Sequence, residues 1–243
     1  MTSSTPHAVS RLRNDRLARS SKPFLVRGGP KGERCAGCRL RPSHCLCTLR
    51  PDVTSRAGVC LIMADTEPLK PSNTGWLVAD ALPDTFAFGW ARTNVDPALL
   101  ALLADPQWNP YLVFPGEFVA SERVVTSVRA SEEKRPLFVL LDATWPEASK
   151  MFRKSPYLNH LPVLSLHGEQ LSRYRLRRSQ QKLHLCTVEV AALCMALSGQ
   201  VQAARTLEAY LDVFTHHYLQ AMQQLPPDLQ SPAHQRLCSL QVS

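Results

Sequence analysis

The sequence predicts an α/β fold built on a largely parallel sheet, and three observations point to this class. Short apolar runs of strand length alternate with helical segments along most of the 243-residue chain. Apolar residues make up 44% of it and charged residues 20%, which is typical of a packed core rather than of disorder. No apolar run approaches the roughly 18 residues of a membrane span, so no membrane partner is expected.

The individual elements follow from apolar periodicity and local stop signals. Residues 1–9 are rich in Ser and Thr and are expected to be disordered, and the short basic helix after them has Leu12 and Leu17 as its apolar anchors. Asp96 before Pro97 is typical of a helix start. Strands are predicted over residues 58–63, 85–89, 111–114, 137–141 and 161–166. Helices are predicted over residues 10–19, 73–82, 96–104, 146–152, 187–197 and 201–225.

Four of the predicted strands end in polar loops. The loops cover residues 65–67, 115–117, 142–145 and 167–169, and each contains a carboxylate. In an open α/β sheet, ligands bind beyond the carboxyl ends of the strands. We therefore expect a polar pocket where these loops meet.

Positive charge is concentrated in the N-terminal fifth of the chain. The net charge is +8 with a pI near 9.3, and residues 1–50 contain eleven Lys and Arg against two acidic residues. Such a local excess favours a polyanionic partner, since each neutralised phosphate releases counterions. The alternative is a solubilising segment without a partner. The basic N-terminus lacks the apolar stretch of a secretory signal, so a cytoplasmic protein is expected.

Four cysteines form a tight cluster in the pattern Cys35-x2-Cys38-x6-Cys45-x-Cys47. Four thiolates satisfy a tetrahedral Zn²⁺, so this spacing predicts a structural zinc site that is coupled to folding. The alternatives are four free or redox-active thiols, or a site in which His44 replaces one cysteine. The other cysteines are assigned to the core because they stand singly in apolar settings. They are Cys60, Cys186, Cys194 and Cys238.

A polar turn, Asp142-Ala143-Thr144-Trp145, joins an apolar strand to a helix that starts with proline. A carboxylate near a helix N-terminus is kept ionised by the helix dipole. Asp142 is therefore a candidate for chemistry. The alternative is that Asp142 or Thr144 only caps the helix.

Seven segments carry a combined pattern that covers most of the chain. They are residues 35–47, 65–75, 113–115, 142–148, 150–158, 174–177 and 186–191. In this order they resemble the DTW-domain family, the tRNA-uridine aminocarboxypropyltransferases. One position departs from the family, which usually continues Asn-Thr-Gly with Arg where this chain has Trp76.

The resemblance implies a SPOUT-like α/β fold whose C-terminal part is knotted around S-adenosylmethionine. It implies transfer of the 3-amino-3-carboxypropyl group from this co-substrate to N3 of a tRNA uridine in the variable loop, at tRNA position 47, with release of 5′-methylthioadenosine. The chain then divides into a basic arm (1–30), a zinc-binding segment (31–50), a catalytic DTW domain (51–225) and a tail (226–243). Monomer and homodimer both stay open.

The reaction that the resemblance implies needs a base, because uridine N3–H is a weak acid. Asp142 is the candidate base, with binding of the co-substrate's ammonium group as the alternative. Trp145 is the second candidate catalytic residue, through stacking on a base, with packing of the pocket as the alternative. Thr187 and Glu189 either contact the co-substrate or form a helix cap with an acid in the first turn. Co-substrate contacts are expected from Pro115, Gly116, Glu117, Asp142, Ser165, Leu166, Tyr174, Arg175, Thr187 and Glu189.

RNA contacts are expected where basic residues are interleaved with aromatic ones, a pattern that suits phosphates and splayed bases. The expected residues are Arg11, Arg13, Lys70, Asn73, Lys150, Arg153, Lys154, Arg173, Arg177 and Arg178. The alternative for these basic runs is a solvated face. Two other classes compete with the transferase: an RNA methyltransferase on the same fold and a zinc-bearing RNA-binding module without catalysis. The carboxylates of the strand-end loops favour an enzyme over a pure RNA binder.

Overall fold

In the described part of the chain, six parallel strands form one sheet. The computed structural model describes residues 6–21, 33–129, 131–166 and 185–241. The strands are β1 (Gly58–Met63), β2 (Thr85–Gly89), β3 (Trp108–Val113), β4 (Val124–Val125), β5 (Arg135–Asp142) and β6 (Val163–Leu164). The helices are α1 (Ala8–Ala18), α2 (Gly75–Ala81), α3 (Pro97–Ala104), α4 (Trp145–Arg153), α5 (Thr187–Leu197), α6 (Val201–Gln223) and α7 (Pro232–Gln241). None of these helices is long and apolar enough to cross a membrane.

Helices cover the sheet on both faces, and strand β1 near its centre is therefore apolar throughout. The strand order is β2-β1-β5-β3-β6-β4, and β1 is buried at every position. Val59, Leu61 and Met63 pack with residues of α2, α5 and α6, whereas Cys60 and Ile62 pack with α3 and α4. The sheet is thus the middle of three layers, which confirms the predicted α/β class with a parallel sheet.

The register of the sheet brings the carboxyl ends of its central strands to one edge. Met63 at the end of β1 lies opposite Asp142 at the end of β5. Val113 at the end of β3 lies opposite Leu140. The loops that follow these strands therefore leave the sheet side by side, where α4 also begins.

Asp80, a buried carboxylate on α2, ties the N-terminal helix and the cysteine segment to the helical layer. His7 Nε2 and Arg50 Nε lie 3.3 and 3.0 Å from its Oδ1. Tyr210 of α6 donates to its Oδ2 at 3.0 Å. Four parts of the chain that are distant in sequence therefore depend on one charge for their relative positions.

Most predicted elements are confirmed within a few residues, and the differences have local causes. The prediction that residues 1–9 are disordered is wrong for residues 6–9, because Val9 is fully buried and His7 contacts Asp80. The strand predicted over residues 161–166 is reduced to β6, and the sequence did not indicate β4. Two-residue strands are too short to show a period.

The segment after residue 225, expected to be a tail, contains α7. The sequence did not indicate this helix because its apolar content is low and only His234 and Leu237 of it are buried. Cys238, assigned to the core, is exposed on α7. The other three single cysteines are buried as predicted.

Two buried histidines join α7 to α6 and to the cysteine segment. His217 Nδ1 lies 3.0 Å from the carbonyl oxygen of His44, to which it must donate. In the neutral pair, His217 Nε2 then accepts from His234 Nε2 at 2.9 Å, and His234 Nδ1 accepts from Ser231 Oγ at 2.7 Å. Burial and the neighbouring His234 lower the pKa of His217 to about 4. This chain of hydrogen bonds therefore favours neutral rings.

Acidification is expected to destabilise the protein through His217. Between its folded pKa of about 4 and the ordinary value of 6.5, the unfolded chain binds more protons, so stability falls as pH falls. The free energy of unfolding is measured with urea at about pH 7 and pH 4.5. Between these two pH values, it should fall by roughly 2 kcal/mol less in His217→Gln than in the wild-type protein. His160→Gln changes an exposed histidine and should keep the wild-type dependence. A His217→Gln protein with that same dependence would contradict the assignment.

Candidate functional site

The four clustered cysteines converge in the segment before β1. Their Sγ atoms all lie within 4.8 Å of one another. The separations are 3.6 Å for Cys35–Cys47, 3.8 Å for Cys38–Cys45 and 3.5 Å for Cys35–Cys45. Four sulfurs placed tetrahedrally at the usual zinc–sulfur distance of about 2.3 Å are about 3.8 Å apart. The cluster therefore fits a metal ion of that size and geometry.

Tight backbone turns bring these thiols together. Arg39 adopts a left-handed conformation with φ 66° and donates its N–H to the Cys35 carbonyl at 2.8 Å. A Cβ at Gly37 would lie 2.7 Å from Cys47 Sγ, so this approach requires glycine. Burial acts to raise the pKa of Cys35, but N–H groups of Cys38 and Gly37 outweigh it and lower the pKa to about 7. Burial instead raises the pKa of Cys38 to about 11 and also raises that of Cys47. Among these three thiols, only Cys35 therefore favours the thiolate form that a metal needs.

His44 is not part of the cluster. Its Nε2 lies 2.8 Å from the Leu225 carbonyl oxygen and its Nδ1 lies 2.9 Å from Ser43 Oγ. Both ring nitrogens are therefore engaged elsewhere. The alternative in which His44 replaces a cysteine is wrong.

Trp76, at the position where the resembled family usually has arginine, is buried against the cysteine segment. Its Nε1 donates to the Gly37 carbonyl at 3.1 Å, and the Arg39 guanidinium lies 4.0 Å from its ring centroid. Arg39 also donates to the carbonyl oxygens of Lys70 and Asn73 at 3.0 and 3.3 Å. A guanidinium is thus present at this place, supplied by another part of the chain and stacked on Trp76.

Asp142 ends β5 and joins three chain segments. The residue is 1% exposed. Its Oδ2 accepts from Asn73 Nδ2 at 2.8 Å and its Oδ1 accepts from Thr187 Oγ1 at 2.7 Å. Helix α4 is capped by Thr144 in a capping box with Glu147. Of the two residues proposed as its cap, Thr144 therefore has that role and Asp142 does not.

A second buried carboxylate, Glu67, belongs to the same network and was not among the predicted site residues. Asn73 Nδ2 lies 3.3 Å from Glu67 Oε2, and Lys70 Nζ lies 2.5 Å from Oε1. Burial and the charge of Asp142 raise the pKa of Glu67, although Lys70 and Asn73 oppose the shift. Glu67 therefore takes up a proton more readily than an exposed glutamate. The feature of the sequence that could have identified Glu67 as a site residue is its position shortly after β1.

The loops after β3 and β6 meet at the same edge of the sheet. Gly116 N donates to Ser165 Oγ at 3.0 Å, and Ser165 N donates to the Val125 carbonyl at 2.9 Å. A Cβ at Gly116 would lie 3.0 Å from Ser165 Oγ, so the two loops approach closely. Pro115 and Glu117 flank this contact, and Glu117 is exposed.

Trp145 lies partly exposed at the start of α4. Its ring stacks on Phe114, with centroids 5.5 Å apart and planes inclined by 9°. The residue is 38% exposed. It is therefore anchored on one side and reaches solvent, which differs from the core packing that was the alternative for a lone tryptophan.

Of the remaining described residues predicted to contact the co-substrate, one lies at this edge and the others are engaged within the protein. Thr187 lies at the edge, bonded to Asp142. Glu189 accepts from Cys186 N at 2.8 Å in a capping box, so the capping alternative describes its contact. Leu166 packs against the core.

The predicted RNA-binding residues are also divided. Asn73 is buried, and its amide is committed to the two carboxylates. Lys70 is bonded to Glu67. Arg13 is half-buried, and burial lowers its pKa. The exposed ones are Arg11, Lys150, Arg153 and Lys154. Three RNA-binding candidates lie outside the described residues: Arg173, Arg177 and Arg178. The co-substrate candidates Tyr174 and Arg175 lie outside them as well.

The fold and the thiol cluster define the class of this protein, a parallel α/β domain with an N-terminal segment able to hold a metal ion. The chain belongs to the DTW domain family, which matches residues 32–219. It is 37% identical over 70 residues to tRNA-uridine aminocarboxypropyltransferase 2 of Drosophila melanogaster. This alignment spans 28% of each chain. No solved structure matches the chain significantly.

Removing one thiol should release the metal and unfold the segment that it holds. We expect about one zinc ion per wild-type chain, and a loss for Cys38→Ser on the order of several kcal/mol in stability. Metal analysis and thermal unfolding measure the two effects. Cys238→Ser alters an exposed cysteine away from the cluster and should change neither. A metal-free wild-type protein of full stability would contradict the site.

Alanine at Gly75 should disturb the carboxylate network directly. A Cβ there would lie 2.5 Å from Asp142 Oδ2, so the two residues must move apart. We expect Gly75→Ala to cost about 1–3 kcal/mol, as overpacked sites do. Gly89→Ala is the matched control, because its Cβ would meet only Leu12 Cδ1 at 3.8 Å. Equal melting temperatures for the two variants would show that the network tolerates the added methyl group.

Proposed function

We propose that this protein is a tRNA-uridine aminocarboxypropyltransferase. The DTW match over residues 32–219 carries the proposal, and the name of the Drosophila relative supports it. The group transferred is the 3-amino-3-carboxypropyl group of S-adenosylmethionine, and the acceptor is N3 of a uridine in the tRNA variable loop, at tRNA position 47. The proposal includes a structural zinc ion in the cysteine cluster, a cytoplasmic location, and a monomer or homodimer.

The chemistry requires a proton acceptor and a pocket. A bond forms between N3 and the transferred carbon, the bond from that carbon to the sulfonium breaks, and the N3 proton passes to a base. S-adenosylmethionine supplies the activated carbon and leaves as 5′-methylthioadenosine. The protein must hold the donor, orient the uridine and accept the proton.

The loops at the carboxyl edge suit a co-substrate that carries a nucleoside and an amino acid. Gly116 and Ser165 bring the loops after β3 and β6 into close contact at this edge. The Glu117 carboxylate can accept from ribose hydroxyls or from an ammonium group. We propose that Pro115–Glu117 and Ser165–Leu166 contact the co-substrate, within the SPOUT-like knotted part that the family resemblance implies, and that Tyr174 and Arg175 are further contacts.

Asp142 is the proposed base. Its Oδ1 already accepts a hydrogen bond from the Thr187 hydroxyl, and Thr187 is less buried than Asp142. The uridine proton therefore reaches the carboxylate either directly or through that hydroxyl. In the second case, the Thr187 hydroxyl takes the N3 proton as it passes its own proton to Asp142. The carboxylate can then stay buried.

Exposed cations supply the proposed tRNA contacts. Lys150 and Arg153 lie on α4, Lys154 directly follows it, and Arg11 lies on α1. Helix α4 starts three residues after Asp142. Arg16 of α1 binds Asp65 after β1 through two hydrogen bonds of 2.7 and 2.8 Å. The charges of the N-terminal helix are thus held next to the same edge of the sheet.

The test is incubation of the protein with S-adenosylmethionine and unmodified tRNA, followed by mass spectrometry of the nucleosides. A uridine carrying an aminocarboxypropyl group supports the proposal. A methylated nucleoside would indicate the methyltransferase, and tRNA binding without any modification would indicate the non-catalytic RNA-binding module.

Asp142→Asn should slow the transfer much more than it weakens binding. Loss of a general base typically costs 10²–10⁴-fold in rate, roughly 3–5 kcal/mol of barrier. Single-turnover rates and the dissociation constant of S-adenosylmethionine are measured together, because a parallel loss of affinity would indicate that Asp142 binds the ammonium group. Glu133→Gln alters an exposed carboxylate that precedes β5, at the opposite end of this strand from Asp142, and should keep the rate. Near-normal turnover in Asp142→Asn would leave that residue a purely structural role.

A further inference from the structure

Three aromatic rings form a column beside the carboxyl edge of the sheet. Phe152 stacks on Phe114 with centroids 4.3 Å apart and planes inclined by 5°. Phe114 stacks on Trp145 at 5.5 Å and 9°. The middle ring, Phe114, is 6% exposed and packed in the core. Phe152 at one end is partly buried against the same core, whereas Trp145, the outer end, reaches solvent.

A fourth ring, Phe118, lies beside the outer end of the column. Its centroid is 5.6 Å from that of Trp145, with the planes inclined by 56°. It is 55% exposed. Among the exposed large hydrophobic residues of the described chain, Phe118 and Trp145 are the only aromatic ones. Exposed apolar surface gathered at one place is typical of a binding surface.

The backbone holds Phe118 in this position. Phe118 N donates to the Pro115 carbonyl at 3.3 Å, and Val119 N donates to the Gly116 carbonyl at 3.0 Å. Gly116 is itself bonded to Ser165 of the neighbouring loop. The exposed ring therefore stands on a fixed turn, so binding a partner there costs little ordering.

The charges around the two rings favour a polyanion. Lys150 and Arg153 are exposed on the helix that begins with Trp145, and Lys154 is exposed at its C-terminal cap. Glu147 on the same helix is engaged in the capping box with Thr144. Glu117, next to Phe118, is the exposed acid on the other side. Exposed aromatic rings next to a cationic helix are the combination that binds single-stranded nucleic acid.

We propose that Phe118 and Trp145 form a stacking platform for an unpaired base of the RNA substrate. This inference rests on the proposed function and names the part of the site that receives the base. N3 of uridine lies on the pairing edge of the ring, so the base must leave its stack before the atom is accessible. An aromatic platform at the start of α4, three residues after Asp142 in the chain, compensates for the lost stacking and accepts any base face.

The test is a binding measurement made without S-adenosylmethionine, so that it does not depend on transfer. Phe118→Leu keeps an apolar side chain and removes the ring, and it should weaken binding of an unmodified tRNA transcript about tenfold. Phe118→Tyr keeps the ring and should restore the affinity. Leu229→Ala is the matched control, because Leu229 is exposed to a similar extent at 58% and lies outside the site. Thermal unfolding checks that all variants are folded.

A second readout tests contact itself. Wild-type protein irradiated with 5-bromouridine-substituted tRNA should cross-link at Phe118 or Trp145, located by mass spectrometry of the peptides. Unchanged tRNA affinity in a folded Phe118→Leu protein, or cross-links only at other residues, would overturn the platform. A wild-type protein that binds tRNA and cross-links at these rings but transfers no group would support the platform and overturn the proposed transferase.

Discussion

The amide of Asn73, placed between two buried carboxylates, is the interaction on which the site depends. Asn73 Nδ2 donates to Asp142 and lies within reach of Glu67, while its Oδ1 accepts from Trp76 N at 3.2 Å. A carboxylate taken out of water needs such donors, because unpaired burial of a charge costs several kcal/mol. The loop after β1, the start of α2 and the end of β5 are therefore held by one side chain.

The helical layer extends this constraint to the N-terminal part of the chain. Asp80 binds Arg50 from the cysteine segment and Tyr210 from α6, and Arg39 reaches the carbonyl oxygen of Asn73 from the opposite side. The metal cluster is thus a neighbour of the acidic network in the fold. Its proposed role is to keep Arg39 and Gly37 in place behind the site rather than to take part in chemistry.

Local patterns in the sequence were sufficient to predict much of this arrangement. The six apolar residues of β1 and the Asp96-Pro97 start of α3 appear in the structure as predicted, because neighbouring residues alone determine them. The cysteine spacing likewise predicted a cluster of four thiols. The carboxylate at position 142 was predicted to follow a strand at the edge where ligands bind.

The rest depended on contacts between distant residues, which spacing does not show. The sequence predicts that Asn73 contacts RNA, and only its hydrogen bond to Asp142, distant in sequence, shows that it is committed inside the protein. The loop at residues 65–67 is predicted to line the pocket, but spacing does not show that Asn73 contacts Glu67 there. Phe118 gave no signal, since a single phenylalanine after a turn is more often buried. Helix α7 has too few apolar residues to indicate a helix, and it is held by the His217–His234 pair.

The stacking of Arg39 on Trp76 couples these two positions physically. An arginine placed at position 76 would meet the guanidinium of Arg39, which lies 4.0 Å from the indole ring, and two like charges in a buried space repel strongly. Conversely, a neutral residue at position 39 would leave the indole uncovered and would remove one donor from the carbonyl oxygens of Lys70 and Asn73. The side chains at positions 39 and 76 are therefore energetically coupled in this chain, and the effect of a substitution at one of them depends on the residue at the other.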